Sequence, residues 1–232
     1  DAGIGNESLA ILHMTNDYGS GLADSVKAAW EANGALCASG MQGYVETATD
    51  FSALADGIAG NADCTAVYLS SYITDAALIL EALDEAGYEG AVFGGDGPAG
   101  IGLYEKLTNN ATATNVTVSA PRAGPNTGAG AAFDAKYDAN AADIGSIKTY
   151  VLTTYDAVMI IGTAAAMDGA INDNIKSTGT NYAGASGTYT FLANGDINGA
   201  GYDICTYDGG ADTGGYTCGK YWTADDGVQS AS

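Results

Sequence analysis

Leu9-Ala-Ile-Leu-His13 runs directly into Asn16-Asp-Tyr-Gly-Ser-Gly-Leu-Ala23. The first stretch has the length and apolarity of a buried strand. The second opens a segment with Leu22, Val26, Ala29 and Trp30 at helical spacing, and Gly34 supplies its stop. The same order recurs twice, as Ala66-Val-Tyr-Leu69 before Ser70-Ser-Tyr72 and as Ala91-Val-Phe93 before Gly94-Gly-Asp-Gly97. Strands alternating with helices predict an α/β fold built on a doubly wound parallel sheet. In such a sheet the loops after the strands emerge at one edge, where ligands bind. Tyr18, Tyr72 and Asp96 are therefore expected to face one crevice.

Working outward, a short second strand is expected over 35–39 and a fifth over 116–119. Asp50 is expected to cap a helix that buries Phe51, Leu54, Ala55 and Ile58. A further helix over 74–86 places Leu78, Leu80, Leu83 and Ala86 inside, with Gly87 after its end. A turn of helix follows over 101–107. Pro121-Arg-Ala-Gly-Pro125 reads as a linker or hinge. Helices are then expected over 127–138, 149–168 and 170–177, a turn-rich, strand-like region over 186–222, and a frayed tail from Thr223. The longest apolar stretch, Val158 to Met167, reads as a buried helix, far below the ~20 residues of a membrane span. The first sheet already has enough helices to cover it, so the helix beginning near Tyr150 needs another surface, and the chain looks incomplete. No signal peptide opens it, so Asp1 reads as a processed or truncated start.

Among 232 residues, 28 acidic against 7 basic side chains give a formal charge of −21. That charge repels nucleic acid and anionic membranes, so neither is expected as a partner. The acids are scattered, which suits a solvated surface in a salty environment or attraction of a basic partner. Cys205 and Cys218 lie in strand-like runs joined by the turn-rich Asp208-Gly-Gly-Ala-Asp-Thr-Gly-Gly215, which predicts a cross-strand disulfide and an oxidising, extracytoplasmic compartment. Cys37 and Cys64 both sit near strand starts. If one strand separates them, their spacing approaches the limit for a bridge. None of the four cysteines has zinc-site spacing, and no metal or cofactor is expected.

Gly95-Asp-Gly-Pro-Ala-Gly100 matches a dinucleotide fingerprint, but it follows the fourth strand and lacks the second acid about 20 residues on. A structural glycine turn and a small-ligand loop worked by Asp96 are the competing readings. Asn194-Gly-Asp-Ile-Asn-Gly199 imitates half a calcium loop, yet its twelfth position is Cys205 where a glutamate is required. A tight hairpin turn is expected instead. Asn6-Glu-Ser8, Asn110-Ala-Thr112 and Asn115-Val-Thr117 are glycosylation triplets that imply surface position only. His13, the single histidine, ends the first strand with no paired nucleophile, so it reads as a core or rim residue rather than a general base. No catalytic residue is predicted. Tyr18 and Tyr72 combine an apolar ring with a hydroxyl, and Asp96 can accept charge-assisted bonds from an ammonium group. Simple packing is the competing reading for each tyrosine. Ser70 and Ser71 are expected to cap the following helix or to donate to the ligand.

At these residues the chain resembles the leucine/isoleucine/valine-binding proteins, type I periplasmic solute-binding proteins of ABC transporters. The segments that carry the likeness are 9–13 with 16–23, 50–54, 66–72 and 94–97, then Thr154-Tyr-Asp-Ala157, Gly187-Thr-Tyr-Thr-Phe191 and Asn194-Gly-Asp196. The resemblance implies two α/β lobes closing on an amino acid, which is then delivered to a membrane permease. It makes Tyr18 and Tyr72 pocket walls on the second lobe and Asp96 the acceptor of the ligand's α-ammonium. It also implies that the start of the first lobe, with its carboxylate-gripping serine and threonine groups, is absent here. Residues 1–121 then form the ligand-binding lobe, 122–185 a helical segment partly of the incomplete first lobe, and 186–232 the hinge-crossing strands and C-terminal hairpin. The expected function is a periplasmic or extracellular binding protein, or a fragment of one, for a branched-chain or aliphatic amino acid. Its partners are an ABC permease and another chain or cleaved segment that supplies the missing lobe. The alternatives are a truncated lobe serving as an assembly module and, more distantly, a nucleotide-dependent enzyme.

Overall fold

The computed structural model describes residues 7–32, 34–122, 128–140, 150–199, 201–209 and 215–231. Asp1, Asn6 of the first glycosylation triplet, residues 123–125 of the expected linker and the middle of the 208–215 turn lie outside these. Five strands form the parallel part of the main sheet: β1 (Glu7–Met14), β2 (Ala35–Tyr44), β3 (Ala66–Ser70), β4 (Ala91–Gly94) and β5 (Val116–Pro121). Their order is β2-β1-β3-β4-β5, and it continues through β8 (Tyr202–Thr206), β9 (Thr217–Thr223) and β10 (Gly227–Ser230). β1 pairs in parallel with both β2 and β3, and β3 with β4, as the alternating pattern predicts. The winding direction reverses between β1 and β3, which is the switch point where such sheets hold ligands.

β1 shows why the sheet is central. Leu9, Ala10, Ile11 and Leu12 are each at most 4% exposed, so both faces of this strand are covered. Ala10 and Leu12 join one cluster with Val67 and Leu69, while Leu9 and Ile11 join another with Ala66, the period-2 division of a strand between two faces. α1 (Asp17–Glu31) covers the second cluster through Ala23, Val26 and Trp30. α2 (Ser52–Ala59), α3 (Ile73–Glu85) and α4 (Ile101–Lys106) cover the first. The doubly wound expectation therefore holds.

Several local expectations are corrected. β2 runs to Tyr44 rather than stopping at Ser39, because its parallel pairing with β1 continues to Met14. Asp50 does not cap α2: the cap position is Phe51, and the Asp50 carboxylate accepts from the Ser52 N–H at 3.0 Å and from the Ser52 hydroxyl at 2.6 Å. In α3 the fully buried residues are Ala76, Ala77, Ile79, Leu80 and Leu83, with Leu78 and Ala86 only part-buried. The tail is not frayed over its described residues. Asp226 N–H donates to the Thr223 hydroxyl at 3.1 Å, and Gly227 adopts φ +66°, which turns the chain back as β10.

Two compact units divide the chain: Asp1–Ala120 with Asp203–Lys220 and Ser230–Ser232, and Pro121–Tyr202 with Tyr221–Gln229. The second unit contains α5 (Gly128–Ala139), α6 (Val151–Ala165), α7 (Ile171–Thr178) and the hairpin of β6 (Tyr182–Gly184) with β7 (Gly187–Tyr189). α6 is not the buried helix its apolarity suggests. Asp156, Ile160 and Ala164 are buried, whereas Val158 is 63% and Ile161 53% exposed. The 194–199 segment is the expected turn, with Leu192 N–H donating to the Asp196 carbonyl at 2.7 Å and Gly195 at φ +97°. It closes a single bridge between Phe191 and Ile197 rather than joining two full strands.

Both cysteine pairs are bonded. β1 does lie between β2 and β3, and residues on strands so separated are about 10 Å apart. Cys64 escapes that limit because it precedes β3, in a turn where its N–H donates to the Asn61 carbonyl. Its Cα reaches 5.2 Å from that of Cys37.

Candidate functional site

Tyr18, Tyr72 and Asp96 come together at the carboxyl edge of β1, β3 and β4. Asn16 caps α1 by accepting from the Gly19 N–H at 2.7 Å, and its amide also donates to Glu46. That fixes the first helical turn, and Tyr18 with it. The Tyr18 hydroxyl donates to Asp96 Oδ1 at 3.1 Å and accepts from the Gly97 N–H at 3.2 Å. Burial first, then the adjacent Asp96 carboxylate, holds this phenol well above its ordinary range, so it remains a donor at neutral pH. Tyr72 stacks on Tyr18 with ring centroids 5.1 Å apart and planes 7° from parallel, and it is half exposed. The paired rings beside a carboxylate form a small aromatic wall with one negative end.

The glycine pattern at 95–100 has a steric cause here. A Cβ on Gly97 would lie 2.2 Å from the Ser71 carbonyl oxygen and 2.7 Å from the Tyr18 hydroxyl. The loop packs its backbone against the tyrosine, and only glycine permits that approach.

Ser70 and Ser71 are fully buried behind these groups. Ser70 donates its hydroxyl to the Gly19 carbonyl at 2.9 Å, tying β3 to the start of α1. Neither serine caps α3, whose cap position is Tyr72 with no side-chain bond. Ser71 Oγ lies near the Tyr44 hydroxyl without a hydrogen bond of good geometry. Tyr44, at the end of β2, donates to Asp75 at 3.5 Å and meets Phe51 edge-on at 4.9 Å. Burial raises the Asp75 carboxyl above its usual range; the Tyr44 hydroxyl offsets this in part and Glu46 adds to it. His13 is a core residue, 9% exposed, with Nδ1 donating to the Met14 carbonyl at 2.9 Å. No group of histidine, cysteine or acidic residues among those described is arranged to hold a metal ion.

One contributor was not singled out from sequence. Tyr207, after β8, places its hydroxyl 3.1 Å from the Pro98 carbonyl and 2.9 Å from the Gly100 carbonyl, and it accepts from the Gly100 N–H at 3.2 Å. It lies more than a hundred residues from the loop it holds, and no local pattern carries that information.

No protein-family model matches the chain. A curated protein of Brucella melitensis biotype 1, the Leu/Ile/Val-binding protein homolog 3, is 28% identical over 214 residues, covering 88% of this chain and 55% of its own length. The chain is similar to the leucine/isoleucine/valine-binding proteins. Solved structures of this group share its fold, that of type I periplasmic binding proteins. The leucine-binding protein LivK of Thermotoga maritima superposes with a TM-score of 0.77 at 20% identity, covering 95% of this chain and 61% of that one. The branched-chain amino acid transporter substrate-binding protein LivJ of Streptococcus pneumoniae, solved in complex with isoleucine, gives 0.69 at 20% identity over 96% and 60%. The chain spans about half the length of the curated protein it matches and about three fifths of the solved ones.

Proposed function

We propose that this chain is the ligand-holding part of an extracytoplasmic solute-binding protein of an ABC importer. Its ligand is a small branched-chain or aliphatic amino acid, bound between two lobes and handed to a membrane permease without chemical change. The observation that carries the proposal is the meeting of Tyr18, Tyr72 and Asp96 at the β1/β3 switch point. Asp96 accepts hydrogen bonds from the ligand ammonium, the two tyrosine rings cover its apolar part, and Ser70 and Ser71 form the floor that keeps the loops in register. The opposing lobe, supplied by further length of the same protein or by another chain, grips the carboxylate. The two disulfides favour an oxidising compartment, periplasmic or extracellular.

Calorimetric titration with L-leucine, L-isoleucine, L-valine and L-alanine tests this. Asp96→Ala is expected to weaken binding roughly ten- to a hundredfold, the worth of a hydrogen bond to a charged group. Unchanged affinity removes the ammonium role.

A second reading, a lobe reused as an assembly module, is favoured by one observation. Beside the exposed Val158 and Ile161 of α6, a hollow of about 420 Å³ is lined by Phe133, Tyr150, Val151, Thr154, Tyr155 and Val158. Light scattering separates the two readings: a stable monomer that binds an amino acid excludes the module, and concentration-dependent association without binding favours it.

A further inference from the structure

We infer that Tyr207 is a positioning residue for the Asp96 loop, and that the disulfide-stapled β8–β9 hairpin is the frame from which it acts. The loop is a single closed turn, since Ala99 N–H donates to the Asp96 carbonyl at 3.1 Å. At its far end Gly100 takes φ +113° and stands at the cap position of α4 with no side-chain cap. Such a helix start leaves backbone donors to be satisfied from elsewhere. Tyr207 satisfies one of them: its hydroxyl oxygen accepts from the Gly100 N–H, and its single proton is shared between the Gly100 and Pro98 carbonyls. One phenol thus binds Pro98 inside the turn and Gly100 just after it, on both sides of Ala99, whose N–H ties them to Asp96 at the turn's start.

Tyr207 is itself firmly held. It is 2% exposed and its ring lies 5.1 Å from that of Tyr216. Burial first, then the neighbouring Tyr216 hydroxyl, holds its phenol above the ordinary range, so it keeps the proton it donates. Two residues earlier, fully buried Cys205 is bonded to Cys218 across the hairpin. The stapled pair lies within Asp203–Lys220, a stretch that belongs to the first unit although the residues on either side of it belong to the second. This stapled segment, distant in sequence from the loop, therefore also sets the position of the candidate ligand carboxylate. The consequence for ligand rests on the reading of Asp96 as an ammonium acceptor; the mechanical link does not.

The test uses amide hydrogen exchange resolved by NMR, on Tyr207→Phe and on a Cys205→Ala/Cys218→Ala variant. Phenylalanine keeps the ring packing and removes the hydroxyl. The informative amides are Gly97, bonded to Tyr18, and Ala99, bonded to Asp96, because neither is hydrogen-bonded to Tyr207. Their exchange is expected to rise about tenfold in Tyr207→Phe, the loss of roughly one net hydrogen bond, while β1 and β3 amides keep their protection. The double cysteine variant is expected to show the same local rise. Unchanged exchange at Gly97 and Ala99 overturns the inference, and so does a uniform rise throughout the sheet, which marks a merely stabilising role. A local rise in Tyr207→Phe alone overturns the part assigned to the staple. In parallel, L-leucine affinity is expected to fall about tenfold in Tyr207→Phe. Absence of leucine binding by the unaltered protein sinks the ligand reading and leaves the exchange result standing, so the two failures are distinguishable.

Discussion

Replacing Asp156 with alanine is expected to destabilise the second unit by about 3–5 kcal/mol. This carboxylate is fully buried in α6, and no ion pair involves it among the described residues. It accepts from the Ala185 N–H at 2.7 Å, the Ser186 N–H at 2.7 Å and the Ser186 hydroxyl at 2.6 Å. An ionised carboxylate is an acceptor only, which suits a site made entirely of donors. Gly184 completes the fit, since a Cβ there would sit 2.3 Å from Asp156 Oδ2. The link fastens the β6–β7 turn to the helix, joining residues 29 and 30 positions apart. Alanine leaves those donors buried with no acceptor, and each costs about 1–3 kcal/mol, partly relieved if water enters. Asparagine keeps one acceptor oxygen but turns an N–H₂ toward a donor, so an intermediate loss is expected. The two tryptophans fall in different units, Trp30 in the first and Trp222 in the second. Urea unfolding read by Trp222 in a Trp30→Phe background therefore isolates the effect. A loss below about 1 kcal/mol would mean that water already serves these donors.

Removing the Cys37–Cys64 bond is the second large effect, expected to cost the first unit about 3–4 kcal/mol. The bonded residues are 27 positions apart, and the loop-closure entropy returned to the unfolded chain gives that magnitude. Cys205–Cys218 closes only 13 positions, so its removal is expected to cost somewhat less, about 3 kcal/mol. Alanine is the better replacement for Cys37 and Cys64, which are 6% and 3% exposed, because serine would bury a hydroxyl. Urea midpoints read by Trp30 in a Trp222→Phe background check both the size and the order. If the shorter loop costs more, the entropic account fails for this chain and packing around Cys205 governs instead. Domains have only about 5–15 kcal/mol in total, so either loss moves the unit close to unfolding at physiological temperature.

Much of the first unit was legible because its signals are local. Leu9–Leu12, Ala66–Leu69 and Ala91–Phe93 are short apolar runs of the right length, each followed by a helical period. Such runs have few outcomes other than neighbouring parallel strands. Once they are neighbours, the period and the polarity of the loops bring Tyr18, Tyr72 and Asp96 to one edge. The β8–β9 disulfide was legible for a similar reason, the two cysteines flanking a turn-rich stretch. Less was legible where a residue's fate depends on a distant partner. Asp50 has the composition of a cap, yet it faces Ser52. Ser70 and Ser71 have the composition of caps, but the end of β3 delivers them to the interior, where Ser70 meets Gly19. The apolarity of α6 suggested burial, while a helix is buried only where something packs against it.

The sequence by itself determined the strand–helix alternation, the direction in which the loops point and the residue types offered at the sheet edge. These follow from periodicity and backbone preference within a dozen residues. Only the tertiary structure decided that Tyr18 bonds Asp96 across 78 positions, that Tyr207 bonds Gly100 at the end of the Asp96 loop from 107 positions away, and that Asp156 serves a turn rather than a surface. Hydrogen bonds of that kind depend on which groups the packed core leaves facing each other once water is excluded. That is a property of the assembled layers and of no single stretch.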